Sequence, residues 1–229
     1  MIQFRCKNSS SSKDDIVKEI GDFILKNKVF FDIFCDIMVR CSKLSDYNKS
    51  FIDTLFLIYY PIDLSSSLVL EFKSKLDEFF NTTDNMLNKR RGDVVEYILE
   101  KITPRKRTSS PFIKETEFYI YYKGYRLGTS NHDIDLGIYC DKDKFVELYE
   151  CKVKLENFLY DRPPLKRKSR RKLGYLKEVY RRIQDIDKDI YLVCLEENLE
   201  LYRDTLDKYG YAMISILSRN DIENLVKRF

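Results

Sequence analysis

The stretch Asn131–Val153, NHDIDLGIYCDKDKFVELYECKV, decides how the chain is read. Two runs rich in branched and aromatic residues, Asp133–Cys140 and Phe145–Val153, flank Asp141-Lys142-Asp143-Lys144, which predicts a β-hairpin. A turn at those four residues sets Cys140 opposite Phe145, Asp135 opposite Glu150 and Asp133 opposite Lys152. Side chains alternate along a strand, so Asp133, Asp135, Glu150 and Lys152 share one face while Cys151 points to the other. Two carboxylates facing each other across strands repel, and burying them uncompensated is expensive. A divalent cation removes both costs, because carboxylate oxygens are what Mg2+ takes. A neighbouring lysine can orient or deprotonate a water beside such a cation, and together these are the parts needed to hydrolyse a phosphodiester.

Outward from the hairpin, the pattern predicts a strand at Phe118–Leu127 and, before it, a helix at Asp84–Ile102. After the hairpin a basic loop, Asn157–Arg171, leads to a helix at Lys172–Ile186 and an apolar strand at Ile190–Leu195. A helix carrying Leu199, Tyr202, Leu206 and Tyr209 ends at Gly210. A strand at Tyr211–Leu217 and a helix opened by Ser218, with Asp221 three residues on, close the chain. Hairpins first and helix crossovers second predict a mixed sheet with helices on both faces. The first ~85 residues read as all-helical by their spacing. Ser12 and Asp15 resemble a capping box, and Ile16, Ile20, Phe23, Ile24, Phe30, Phe31, Phe34, Ile37, Met38 and Cys41 form an apolar stripe with a break near Asn27. Helices at Tyr47–Tyr60, stopped by Pro61, and at Ser66–Phe80 follow. The expected division is a helical subdomain over 1–84 and a core over 85–229.

Asp135, the run Glu150-Cys151-Lys152 and a preceding helix bearing Glu96 in RGDVVEYILEKI resemble the PD-(D/E)XK nuclease superfamily. The resemblance covers about residues 85–217 and implies a restriction-endonuclease-like α/β fold. It also implies a Mg2+-dependent nuclease, with Mn2+ able to substitute. Residue by residue, Asp135 matches the metal-binding aspartate, Glu150 a second metal ligand, Lys152 the lysine that positions the attacking water, and Glu96 the acidic residue of the first core helix. The proline of the motif is replaced by Ile134. Asp133 rivals Asp135 on the same face. Asp135 is preferred because it pairs with Glu150 and leads into the apolar Leu136 and Ile138. Glu96 lies ~110° from the stripe Val95, Ile98, Leu99 and Ile102, at its boundary. Glu100 is the alternative on that helix, and Glu115 and Glu117 read as surface charges. The implied partner is DNA, with RNA the alternative, and a double-strand cutter needs two sites, which suggests a homodimer.

The segment DRPPLKRKSRRK, 161–172, sets Arg162, Lys166, Arg167, Lys168, Arg170, Arg171 and Lys172 against Asp161 alone. It reads as a phosphate-tracking element, joined by Lys89, Arg90, Arg91 and Arg105–Arg107. His132 reads as a turn residue, with phosphate contact the other choice. Charge resolved by segment agrees with this reading. The whole chain of 229 residues is only +4, yet residues 86–182 hold 24 Lys+Arg against 14 Asp+Glu.

The remaining composition mainly excludes. At 44% hydrophobic and 34% charged, with 7 Gly and 5 Pro, the chain is neither collagen-like nor disordered. A single histidine rules out a zinc site needing two. The six cysteines show no C-x-x-C pair and read as reduced thiols. The longest apolar run, Leu55–Ile62, is far short of the ~20 residues a bilayer needs. No secretory signal opens the sequence, so a cytoplasmic protein without a membrane partner is expected.

Overall fold

The computed structural model describes residues 1–6, 13–59, 66–128, 132–159 and 165–229. The chain divides into two compact units, one made of residues 1–11 and 103–218, the other of residues 12–102 and 219–229. Ser12, Pro61, Asn131, Asp161, Arg162, Pro163 and Pro164, singled out above, lie outside the described residues.

The helical unit contains α1 (Asp15–Lys26), α2 (Phe31–Arg40), α3 (Lys49–Tyr59), α4 (Ser67–Phe80) and α5 (Asp84–Ile102). The expected apolar stripe from Ile16 to Cys41 is buried throughout, and α1 stops at Asn27, where the break was expected. Phe23, Phe30, Phe56 and Phe72 pack as one aromatic cluster. The Ser66 hydroxyl caps α4 by accepting the Val69 N–H. Helix α5 belongs here, not with the sheet as the expected boundary at 84/85 had it. Tyr97 on α5 lies against Gly21 on α1, where an added Cβ would come within 2.4 Å of the ring. Its hydroxyl also donates to Asp22 at 2.8 Å.

The sheet unit holds β1 (Ile2–Cys6), β2 (Ile113–Tyr122), β3 (Tyr125–Arg126), β4 (Ile134–Cys140), β5 (Phe145–Cys151), α6 (Arg167–Arg182), β6 (Asp187–Val193), α7 (Glu200–Lys208) and β7 (Ile214–Leu217). The last helix, α8 (Arg219–Arg228), joins the helical unit, where Arg219 pairs with Asp32 at 2.9 Å and Asp36 at 2.8 Å. The protein is thus α/β, with a mixed seven-stranded sheet flanked by helices. Strand order is β1-β2-β4-β5-β6-β7, with β3 paired to β2 alone. The β1/β2, β2/β4 and β4/β5 pairs are antiparallel, while β5/β6 and β6/β7 are parallel. Hairpins therefore precede crossovers, as the sequence pattern implied.

Strand β1 corrects the all-helical reading of the N-terminus. Five residues pair along β2 from Ile2↔Tyr122 to Cys6↔Phe118, a partner more than a hundred positions away that local periodicity cannot reveal. The strand expected at 118–127 starts earlier, at Ile113, and breaks at Lys123-Gly124. Both turn residues have positive φ (50° and 85°), the backbone that closes a two-residue hairpin.

Every residue of β5 is buried, which fits its central place between β4 and β6. Val146 and Leu148 from β5, Ile190 and Leu192 from β6, and Leu173, Leu176 and Val179 from α6 form one apolar core. Gly137 in β4 is required by packing, since a Cβ there would lie 2.2 Å from the Phe118 ring.

Candidate functional site

Strands β4 and β5 pair as expected, from Cys140↔Phe145 to Leu136↔Tyr149. That register carries Asp135 and Glu150 to facing positions at the open end of the hairpin. Asp135 Oδ2 accepts the Cys151 N–H at 2.7 Å. Lys152 follows β5 directly, and its Nζ lies 2.7 Å from Glu150 Oε1 and 3.7 Å from Asp135 Oδ2. The same ammonium donates to the Cys151 carbonyl at 2.7 Å. Three of the four residues matched to the family, Asp135, Glu150 and Lys152, are therefore brought together.

A fourth group completes the cluster. Lys172, from α6, makes an ion pair with Glu150 Oε2 at 2.6 Å, donates to the Asp133 carbonyl, and lies 4.0 Å from Asp133 Oδ1. Its side chain is 8% exposed and that of Glu150 4%, against 30% for Lys152. Lys172 was expected to track phosphate from the end of the basic segment, at the very start of a helix. Instead α6 begins at Arg167, and the buried residues Ser169, Lys172, Leu173 and Leu176 occupy its inner face.

The charges shape one another. Burial raises the Asp135 carboxyl to about 6, the Glu150 charge adds to this, and Lys152, Lys172 and the Cys151 N–H offset part of it. Burial also works against ionised Glu150, but Lys152 and then Lys172 outweigh it and hold that carboxyl below its ordinary value. For Lys152, burial favours the neutral amine, yet Glu150 and then Asp135 hold the ammonium well above its ordinary range. His132, nearby, is lowered by burial and by Lys172.

These shifts give a sign-specific stability test. Asp135 titrates higher in the fold than its ordinary 3.8, so ionising it costs folding free energy. The cost is absent below the lower value and complete above the higher. Asp135→Asn is expected to match the wild type near pH 4 and to exceed it by about 1–3 kcal/mol above pH ~6. Urea unfolding across that range checks it, and a difference independent of pH would contradict the assignment.

The other expected residues divide clearly. Lys166, Arg167, Lys168, Arg170 and Arg171 are exposed at the start of α6. The first turn of that helix holds no acidic residue, and Lys166 provides no side-chain cap. Positive charge there opposes the helix dipole, a conflict that a bound anion relieves. Arg90 and Arg91 are corrected from phosphate contacts to struts of the helical unit. Arg90 binds Asp14 at 2.7 Å and the Phe79 carbonyl, while Arg91 is buried against the Met38 carbonyl. Glu96 belongs to the helical unit as well and faces Lys13 at 3.5 Å. All six cysteines are unbridged thiols, and among the described residues no helix is long and apolar enough to cross a membrane.

Among the described residues no group of three or more His, Cys, Asp or Glu side chains is placed to hold a metal. Asp135 and Glu150 nevertheless suit Mg2+, which is commonly held by one or two carboxylates and takes its other ligands from water and phosphate. Hard oxygen donors on adjacent strands are the right chemistry, and the two lysines carry the balancing charge that such a cation would compete with. No protein-family model matches the chain, and no curated protein matches its sequence.

Proposed function

We propose that the protein is a Mg2+-dependent nuclease acting on DNA, and that its sheet unit follows the restriction-endonuclease-like plan. One observation carries this reading: Asp135, Glu150 and Lys152 meet at the open end of one hairpin, with a carboxylate on each strand and the lysine touching both. The antiparallel β2-β4-β5 order, continued in parallel through β6 and β7, supports the plan.

Each residue then has a task. Asp135 and Glu150 would hold the metal, whose charge would neutralise the scissile phosphate and favour hydroxide over water. Lys152, held protonated by its carboxylate neighbours, acts as a donor that fixes a water or phosphate oxygen. In that charge state it does not serve as a base. Lys166, Arg167, Lys168, Arg170 and Arg171 bind the phosphate backbone and make affinity salt-sensitive.

Incubating the chain with supercoiled plasmid, single-stranded circles and branched duplexes tests the proposal. Cleavage is expected with Mg2+ or Mn2+ and not in chelator, and Glu150→Gln is expected to abolish it. Failure to cut any substrate, or equal cutting by the variant, would overturn the reading.

A second reading has its own support, because both Glu150 oxygens already lie within ion-pair distance of lysines. That balance suits a module that binds DNA or RNA without cutting. Calorimetry separates the two, since a nuclease should bind Mn2+ at a site lost in Asp135→Ala and a degenerate module should not.

A further inference from the structure

We propose that the outer face of β1, β2 and β3 is a stacking platform for the unpaired bases of single-stranded DNA. Along β2, Phe118, Ile120 and Tyr122 are buried, while the alternating Tyr119 and Tyr121 are half-exposed. The register sets Arg5 opposite Tyr119, and both Gln3 and Arg126 opposite Tyr121, so these five side chains share that outer face.

The arginines cross diagonally. The Arg5 guanidinium lies 4.1 Å over the Tyr121 ring, and that of Arg126 lies 3.8 Å over the Tyr119 ring. Each thus lies over a tyrosine two places from its direct partner. Lys123 follows in the adjoining turn, whereas Tyr125, 78% exposed, pairs with Tyr122 and so lies outside this set.

The chemistry of this face selects its occupant. Planar guanidinium and phenol groups stack on nucleobases whatever their sequence, and the cations favour the phosphate chain between them. No acidic residue belongs to the five-residue set. The nearest acid along β2, Glu117, sits at φ 48°, where regular alternation breaks. A duplex hides its base faces, so the ligand is the unpaired strand.

The platform is separate from the carboxylate cluster and rests on the nuclease reading only for its choice of DNA. Fluorescence anisotropy in chelator, with oligothymidylate and with duplex, tests it without any cleavage. The Tyr119→Leu/Tyr121→Leu double variant is expected to bind oligothymidylate about tenfold or more weakly, with duplex affinity unchanged. Tyr119→Phe/Tyr121→Phe keeps the rings and is expected to stay near the wild type, which separates stacking from misfolding.

The proposal is overturned by unaltered binding in the leucine variant, by equal losses in both variants, or by no oligothymidylate binding in the wild type. A wild-type preference for oligouridylate overturns the assignment to DNA. Plasmid cleavage with Mg2+ is scored separately. Cleavage without ring-dependent binding removes only the platform, and ring-dependent binding without cleavage removes only the nuclease reading.

Discussion

Replacing Lys172 by methionine is expected to cost about 2–3 kcal/mol of stability in chelating buffer, and added Mg2+ to restore most of it. Glu150 is nearly inaccessible and ionised, and its charge is balanced by Lys172 on one oxygen and Lys152 on the other. Methionine keeps most of the aliphatic stem, so packing changes little while the charge is lost. Removing one partner of a buried ion pair costs about 3–5 kcal/mol. Here Lys152 remains, but it must then serve both Glu150 and Asp135, so the expected loss is somewhat smaller.

The pH dependence has a definite sign. Wild-type Glu150 is depressed from its ordinary 4.5, so its ionisation stabilises the fold above that value. Without Lys172 part of the depression is lost while that from Lys152 stays, and the deficit of the variant is full at neutral pH and shrinks as acid protonates Glu150. On the proposed function a divalent cation held by Asp135 and Glu150 would supply the missing charge, so the metal-induced gain should be larger in Lys172→Met than in the wild type. Equal stability of the two proteins in chelator would contradict the charge balance described for the cluster.

Lys172 also shows where sequence reading stops. The hairpin was legible because a turn of charged residues and a period of two fix register without any knowledge of the rest of the chain. Asp135 and Glu150 therefore fall into place from their numbers alone. The helix start was set at Lys172, five residues late, because the basic residues before it masked the true start, which carries neither an acidic first turn nor a side-chain cap. Extending the helix back to Arg167 puts Lys172 beside Leu173 and three positions after Ser169, on the buried stripe. The signal was present but countered by local charge. Strand β1 and the inclusion of α5 in the helical unit depended on distant partners and left no local signal. Arg90 and Arg91 had the composition of a phosphate site and the surroundings of a core, and only packing distinguishes these.

Glu147→Ala is expected to cost about 3–5 kcal/mol, with none of the loss recovered by Mg2+. Glu147 lies on β5, three residues before Glu150, and the strand period turns it to the opposite face of the sheet. It is fully buried. Its Oε2 accepts the Arg105 N–H at 2.9 Å and the Tyr149 hydroxyl at 2.6 Å, and its Oε1 accepts the Lys106 N–H at 2.8 Å. Arg105 supports the arrangement further, its guanidinium reaching the Tyr191 hydroxyl at 3.4 Å beside the stacked Tyr149 and Tyr191 rings.

Alanine would strand three donors and leave a cavity, each stranded donor costing about 1–3 kcal/mol where water cannot reach it. Glutamine keeps one good acceptor but turns an amide donor towards a backbone N–H, so Glu147→Gln should fall between alanine and the wild type. Two buried glutamates on one strand thus have opposite characters. The partners of Glu147 are two main-chain amides and a packed phenol, fixed by the fold and not displaced by a cation. Those of Glu150 are lysine ammonium groups on flexible stems, which a divalent ion can replace. Urea unfolding of Glu147→Ala and Lys172→Met, each with and without Mg2+, measures this difference directly. Rescue of both variants by the metal, or of Glu147→Ala alone, would place the metal-responsive carboxylate on the wrong face of the sheet and remove the basis for assigning chemistry to Glu150.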